Sequence, residues 1–210
     1  MQGRVDIPEP VTTAGSQLLP VLPLKDVCLF PGASLAVVVD RPPAISAVQM
    51  SSRTGGTLLA LGQRDAGPTG AGPRDLQALG TLAAIREASA ISPLELRVEL
   101  DGIARARIVT LVGVDLLVAE AETVPEGDEG AEWGPAVEAL ARYLHAHADL
   151  RAFLEQQRRS ADPMSWVNLA CQHLPITVSA RQKLLEANAA DRCLRISRGL
   201  DALLRKEHGA

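Results

Sequence analysis

The stretch LPVLPLKDVCLFPG, residues 19–32, holds three prolines in a sequence that is otherwise apolar and suited to a β-strand. Proline cannot donate a hydrogen bond to a neighbouring strand, so it is confined to the starts, edges and bulges of sheets. The prolines therefore predict an edge strand or a strand with breaks, not a central strand. The end of the stretch, Phe30-Pro31-Gly32, has the composition of a turn, in which proline fixes φ and glycine tolerates positive φ.

Around this stretch, residues 18–124 read as a β-rich unit with one helix, preceded by a polar N-terminal lead, 1–17, that we expect to be flexible. A helical spacing of apolar residues predicts the helix at Pro42–Arg53, and a dense run of Gly and Pro predicts a loop at Gly67–Pro73. Apolar and β-branched runs predict further strands at 34–40, 56–63, 79–88 and 114–124. Short strands separated by turn residues are typical of a small closed or half-closed barrel.

An Asp101-Gly102 pair lies between two segments in which apolar and charged residues alternate. Leu96, Val98 and Leu100 fall on one face of the first segment. Asp-Gly is a strong signal for a two-residue hairpin turn. The sequence therefore predicts a β-hairpin that turns at this pair.

The second half of the chain has a helical pattern. An acidic, Gly-rich segment, 125–134, predicts a linker, and residues 135–207 then predict four or five short helices packed as a bundle. Asp162 followed by Pro163 predicts a helix start, with the aspartate as N-cap. Ser179 and Gln182 have the spacing of a capping box at the start of a later helix.

Composition bounds the function of the 210-residue chain. Its formal net charge of −4 and scarce aromatic residues make nucleic acid an unexpected partner. Three widely spaced cysteines and an N-terminus without an apolar signal core predict reduced thiols in a cytoplasmic protein. No apolar run approaches the ~20 residues of a membrane span, so no membrane association is expected.

Five blocks along the chain resemble, in order and spacing, the N-terminal domain of the ATP-dependent Lon protease family. They are LPVLPLKDVCLFPG, LLALGQRD, LGTLAAI, LELRVELDGIARARI and LPITVSARQKLLE. The resemblance covers nearly the whole folded chain. It implies an α+β fold, a PUA-like β pseudo-barrel followed by a helical bundle. It also implies a role in recognising unfolded or damaged polypeptides without catalysis.

The sequence shows no pattern typical of the ATPase or the serine–lysine protease of that family. No G-x-x-x-x-G-K-[ST] motif occurs, and none of the three lysines lies in a setting that resembles the protease dyad. We therefore expect no enzymatic activity and no cofactor. The chain is either a free-standing relative of the domain or a fragment of a longer protease, and we expect the free-standing form.

The residues with reactive side chains do not form a catalytic or metal-binding pattern. His145 and His147 are two apart on a predicted helix and point in different directions, so they cannot share a metal ion. His173 reads as a core histidine, and Cys28, between apolar neighbours, as a buried inert thiol. We predict no catalytic, cofactor-binding or metal-binding residue.

Two groups of residues remain as candidates for binding. Arg105 and Arg107 alternate along a strand; they form either a solvated face paired across the hairpin, which is the favoured interpretation, or a grip for an acidic or phosphate group. In the opening stretch, a broken edge could receive an extended chain by strand addition while its apolar groups serve the core. Leu29, Phe30 and Pro31 are the predicted substrate-binding residues.

Three functions compete at this point. The first is a protein-binding module or adaptor, with unfolded polypeptides or a protease or chaperone as partner, acting as a monomer or weak dimer. The second is a PUA-like module that binds RNA or a small ligand through Arg105 and Arg107. A hydrolase ranks last, because no nucleophile has a base near it in the sequence.

Overall fold

The first half of the chain folds into a β-rich unit with one helix. The computed structural model describes residues 16–64, 72–127 and 131–208. Most of the predicted lead, 1–17, and of the predicted loop at Gly67–Pro73 lies outside these residues. The elements of this half are β1 (Gln17–Leu24), β2 (Ser34–Val39), α1 (Pro42–Arg53), β3 (Thr57–Gly62), a 3-10 turn (Pro73–Asp75), β4 (Leu79–Ser92), β5 (Glu95–Val112) and β6 (Val118–Val124).

Five helices follow, and their starts reflect local capping chemistry. They are α2 (Trp133–Ala146), α3 (Ala148–Gln157), α4 (Pro163–His173), α5 (Val178–Glu186) and α6 (Ala189–His208). Asp162 caps α4 as predicted, because its carboxylate accepts a hydrogen bond from the Ser165 backbone N–H at 2.8 Å. The predicted capping box at Ser179 is wrong: Thr177 is the N-cap of α5, and Gln182 is buried.

The six strands form one sheet that closes on itself. The strand order is β2-β5-β4-β3-β1-β6, and β5 also pairs with β6. Five strands therefore make a ring, and β2 is added outside it along the first half of the long strand β5. This is the predicted α+β architecture, a β pseudo-barrel followed by a helical bundle. The placing of subdomain boundaries at 18–124, 125–134 and 135–207 stays a prediction.

Strand β1 lies between two other strands, so it is not the edge strand that the sequence first suggested. Its two ladders do not overlap: Gln17–Pro20 pairs with β6, whereas Val21–Leu24 pairs with β3. The alternative expectation, a strand with breaks, describes it better. Pro20 and Pro23 are tolerated because each has a paired strand on one side only.

The predicted hairpin turn at Asp101-Gly102 is wrong, because both residues lie inside the continuous strand β5. The chain turns between Ser92 and Glu95 instead. Gly102 is there because another backbone segment crosses the strand: its N–H donates to the Ala33 carbonyl at 2.9 Å, and a Cβ on Gly102 would lie 2.2 Å from the Phe30 carbonyl oxygen. Glycine inside a strand marks such close approaches as well as turns.

The crossing segment after β1 joins the two halves of the molecule. Leu29 packs into the apolar core between the sheet and α1, whereas Phe30, the next residue, packs into the core of the helices. Both side chains are fully buried. Because successive side chains of an extended segment point to opposite sides, one short stretch contributes to both cores.

Candidate functional site

The segment that holds the predicted substrate-binding residues is fixed by buried polar side chains. The Thr81 hydroxyl donates to the Leu29 carbonyl at 2.6 Å, from the barrel side. From α4, the Gln172 side chain accepts the Phe30 N–H at 3.1 Å, and the Asn168 amide donates to the Pro31 carbonyl at 3.1 Å.

Leu29, Phe30 and Pro31 are all buried between the barrel and the helices. These contacts satisfy backbone groups that would otherwise be unpaired away from water. The role of the three residues in substrate binding stays a prediction, and direct contact with a substrate would require this segment to leave its helical partners.

Arg105 is buried, so the expectation of a solvated face is wrong for this residue. Its guanidinium donates to the carbonyls of Leu185 and Ala187, at 3.2 and 2.7 Å, and to the carbonyl of Pro125. These carbonyls belong to the end of α5, to the residue that follows it and to the segment after β6, so Arg105 joins the barrel to the bundle. Arg107 is exposed, so it is the one arginine of the proposed RNA-binding pair, Arg105 and Arg107, that could contact RNA.

Glu126 places one carboxylate between two buried arginines. Its Oε1 lies 3.4 Å from Nε of Arg105, and its Oε2 lies 2.9 Å from Nη1 of Arg192. Arg192 is fully buried and also donates to the Asn168 side-chain oxygen at 2.7 Å. Since Asn168 holds the Pro31 carbonyl, one network connects the segment after β1, the segment after β6 and helix α6.

The reactive side chains are buried or dispersed. Burial raises the pKa of the Cys28 thiol to about 11, so this thiol is protonated at neutral pH, in line with the inert role expected for it. Burial, with the Arg181 charge as a smaller contribution, lowers the pKa of His173. In the described part of the chain, no group of three or more His, Cys, Asp or Glu side chains is arranged to hold a metal ion.

A cleft of about 700 Å³ opens beside β1 and β2, and we call it the β1–β2 cleft. One wall is Leu22–Lys25 of β1 and its following loop. The other wall is Val37–Ala44, which includes the end of β2 and the start of α1. Pro73 and the loop from Gly113 to Leu117 also border it.

Both strands that border the cleft have an edge without a partner strand among residues 16–64, 72–127 and 131–208. β2 pairs only with β5, and Leu22–Leu24 pairs only with β3. Unpaired strand edges carry free N–H and C=O groups that accept an added strand. Only β2 fits this description: the short unpaired part of β1 is centred on Pro23, which has no N–H to donate, and Leu24 already accepts the Gln63 N–H at 2.9 Å.

The cleft surface is mixed, with exposed apolar side chains beside charged ones. Val38 is 61% exposed and Val114 is 81% exposed, which is unusual for such apolar side chains. Lys25 and Asp40 also line the cleft and are exposed. An extended chain can gain both strand hydrogen bonds and apolar contacts in such a groove.

Sequence reasoning missed this site because it assigned the receiving edge to residues 19–32 as a whole. The signal was nevertheless present in SLAVVVD, residues 34–40, a β-branched run with few charges. Only the topology shows that this run forms the outermost strand and that the unpaired part of β1, Leu22–Leu24, lies across the cleft from it.

In the described residues, no helix has the length and apolar character needed to cross a membrane.

Comparison with known sequences gives Lon proteases among the relatives of this chain. Lon protease 1 of Thermus thermophilus is 31% identical over 196 residues, a match that covers 89% of this chain and 24% of the relative. The Lon protease of Escherichia coli is 23% identical over 175 residues, covering 80% and 22% respectively. The chain thus spans about a quarter of the length of these curated relatives.

Solved structures with the same fold include the N-terminal domain of the Mycobacterium avium complex Lon protease. Its TM-score is 0.70 at 20% identity, with 89% of this chain and 98% of that chain covered. A Lon N-terminal domain protein from Xanthomonas campestris has a TM-score of 0.60 at 21% identity, with 85% and 95% covered. At these identities the likeness establishes the fold.

The family model described as the ATP-dependent protease La (LON) substrate-binding domain matches residues 18–202, which span both the barrel and the helical bundle. The chain therefore belongs to the family of Lon substrate-binding domains.

Proposed function

We propose that this chain recognises unfolded or damaged polypeptides as a non-catalytic binding module, and that they bind in the β1–β2 cleft. The observation that carries the proposal is the unpaired edge of β2, Ser34–Val39, beside a cleft in which Val38 is exposed. An unfolded chain exposes backbone groups and apolar side chains together, whereas a folded protein buries most of both. The cleft thus matches the features that distinguish the two states.

Family membership supports the same role, since the family is defined as a substrate-binding domain of a protease. The thiols of Cys28 and Cys171 are buried and protonated at neutral pH, which agrees with a role in binding rather than in chemistry. A protease or chaperone partner, a monomeric or weakly dimeric state and a cytoplasmic location remain predictions from the sequence.

Isothermal titration with one model protein, in its folded form and in a permanently unfolded form, tests the proposal. We expect the unfolded form to bind with micromolar affinity, on the order of 1–100 μM, and the folded form to bind not at all. Equal binding of both forms would exclude recognition of the unfolded state. The RNA alternative predicts instead a steep loss of affinity for an RNA oligomer as salt is raised.

The three residues first predicted to bind substrate take a different place in this proposal. Leu29, Phe30 and Pro31 hold the two cores together, and Leu22–Lys25, just before them, borders the cleft. A substrate chain in the cleft would contact the neighbouring part of the same stretch. Contact with Phe30 itself would need the Gln172 hydrogen bond to its N–H to break.

A further inference from the structure

The ladder between β2 and β5 determines which backbone groups of β2 stay free. Where the ladder begins, Gly102 of β5 accepts the Gly32 N–H and donates its own N–H to the Ala33 carbonyl, both at 2.9 Å. Hydrogen-bonded and non-hydrogen-bonded pairs alternate along an antiparallel ladder from such a point. In the observed register, the odd-numbered residues of β2 therefore bond to β5. The even-numbered residues direct their N–H and C=O groups to the free edge: Ser34, Ala36 and Val38.

Gln172 of α4 supports this assignment and shortens the edge that a ligand can use. Its Nε2 donates to the Ser34 carbonyl at 2.7 Å, so this carbonyl does point away from β5. Among the described residues, the outward N–H and C=O groups of Ala36 and Val38 have no partner strand, and both side chains are exposed. Residues 36–38, which we call the available edge, thus offer two free N–H and two free C=O groups.

The shortness of the available edge favours a single extended segment over a second folded copy of the chain. A stable dimer buries roughly 1,200–2,000 Å² of surface in total. An edge with two outward-facing residues supplies only a small part of that area. An extended segment of an unfolded polypeptide can instead lie in the cleft and bond to both residues by strand addition.

An apolar surface lies beside the available edge. Val27 and Val37 are half-buried, line the cleft and pack against the core between the sheet and α1. A residue opposite Val37 in an added strand has its side chain on the same face of the sheet as Val37. An apolar side chain there would extend the core, whereas its two neighbours would point to the opposite, exposed face.

We propose that the β1–β2 cleft recognises three consecutive residues of an extended segment that runs antiparallel to β2. The central residue is apolar and packs beside Val37. The two flanking residues bond through their backbone N–H and C=O groups to Ala36 and Val38, so proline is excluded from both flanking positions. This inference rests on the proposed function and defines the kind of segment that the same site accepts.

Fluorescence anisotropy with dye-labelled peptides tests the inference on the parent chain. The peptides share a Ser- and Thr-rich sequence with blocked ends and one central Val, and they differ in the position of a single backbone N-methyl group. N-methylation of either flanking residue should weaken binding about tenfold, because a carbonyl of the available edge loses its donor. N-methylation of the central Val should change the affinity less than about twofold, since that N–H points away from β2. Replacing the central Val by Ser should weaken binding about tenfold.

Ala36→Pro tests the same bonds from the protein side. It removes one outward N–H and no bond to β5, a position at which strand edges tolerate proline. We expect about tenfold weaker binding of the unmethylated peptide. If this variant does not fold, as judged by its thermal unfolding, the N-methyl comparison in the parent chain decides alone.

Ala88→Pro is the matched control. Ala88 is an exposed residue of β4 that pairs with Val98 of β5, has no partner strand on its other side in the described part of the chain, and does not line the cleft. Because Val98 directs its groups to β2, the Ala88 N–H also points away from β5. This variant should keep the affinity of the parent chain.

Four results would overturn the inference. They are a loss of affinity that is the same at all three N-methyl positions, a loss at the central position alone, an equal loss in Ala36→Pro and Ala88→Pro, and binding of a permanently unfolded protein without binding of the peptide. In each case the proposed function stands if the unfolded protein still binds and its folded form does not. If neither the peptide nor the unfolded protein binds, both the inference and the proposed function fail.

Discussion

At the scale of single residues, Glu126 is the carboxylate that balances two buried guanidinium groups. It contacts Arg105 of the barrel and Arg192 of α6, and its own side chain is only 16% exposed. Removing one partner from a buried ionic group leaves the others with uncompensated charge. The network therefore depends on Glu126 more than on any single hydrogen bond that the arginines make to carbonyl oxygens.

We predict that Glu126→Gln lowers the free energy of unfolding by about 3 kcal/mol, because both arginines stay buried without a counter-charge. Urea unfolding followed by circular dichroism measures the change. Glu155→Gln serves as the control, since Glu155 is 63% exposed in its pair with Arg151, and a change within about 0.5 kcal/mol is expected there. Equal small changes in both variants would mean that the network contributes little to stability.

The buried thiols predict a loss of stability in alkaline solution. Burial raises the pKa of Cys28 to about 11 and that of Cys171 to about 12, from an ordinary value of 9.0. Because the pKa is higher in the folded state, the stability linked to these thiols is complete below about pH 9 and is lost as pH rises towards the folded values. The free energy of unfolding should therefore fall above about pH 9.

Comparison with Cys171→Ala isolates the contribution of one thiol. The variant is less stable than the parent at about pH 8, because a cavity replaces the sulfur, and the gap should narrow as the pH rises above about 9. Urea unfolding at a series of pH values measures the gap. A gap that stays constant up to about pH 10.5 would contradict the assignment of a raised pKa to this thiol.

At the scale of elements, Gly102 decides how the segment after β1 crosses the barrel. We predict that Gly102→Ala destabilises the fold by about 3 kcal/mol or more, since the added Cβ would meet the Phe30 carbonyl oxygen, a backbone atom that cannot move freely. Gly199→Ala is the opposite case. Gly199 lies inside α6 with open space at its Cβ position, so alanine there should stabilise by about 0.5–1 kcal/mol.

Thermal and urea unfolding of the two alanine variants give a direct comparison. The expected changes have opposite signs although the substitution is the same. If Gly102→Ala were neutral, Asp101-Gly102 would have the freedom of a solvent-exposed turn, as the sequence first suggested, rather than a packed position in β5.

The free edge of β2 should respond to a charge placed on it. Val38→Asp is predicted to lower the affinity for an unfolded polypeptide about tenfold, by removing the apolar contact of one valine. Val109→Asp is the control, because Val109 is 54% exposed on β5 and does not line the cleft. Titration calorimetry on both variants measures the difference, and an equal loss in the two would point to a general surface effect instead of the cleft.

Elements were predictable from the sequence where local chemistry determines them. The helix at Pro42–Arg53 and the start of α4 at Pro163 follow from apolar spacing and from prolines at first-turn positions. The prediction of a turn at Asp101-Gly102 failed because the same residue pair occurs both in tight turns and where another backbone segment approaches closely. Only the position of residues 30–33, far away in the chain, decides between the two.

The candidate site was less predictable than the fold, for the same reason. Arg105 looked like a surface residue because none of its partners is local: the Pro125 carbonyl lies 20 residues along the chain and the Ala187 carbonyl 82 residues along it. Likewise, Gln182 fitted a capping box in the sequence, but it is buried and donates to the Leu79 carbonyl at 2.9 Å. Sequence patterns report local periodicity, whereas both of these environments are made by long-range packing.

At the scale of the whole molecule, the barrel and the bundle share one buried junction. Phe30 belongs to the helical core, Gln172 and Asn168 bind the backbone on either side of it, and the Glu126 network closes the other side. The β1–β2 cleft lies apart from the bundle, on the barrel beside α1. We therefore propose that the barrel binds the polypeptide and that the bundle and the junction support the barrel.

An amide NMR titration of the labelled chain with a permanently unfolded model protein tests this assignment most directly. The account predicts shifts that concentrate at Leu22–Lys25 and Val37–Arg41, and no shifts when the same model protein is added in its folded form. Shifts confined to α2–α6, or shifts of equal size with both forms, would contradict the claim that the cleft on the barrel receives unfolded polypeptides.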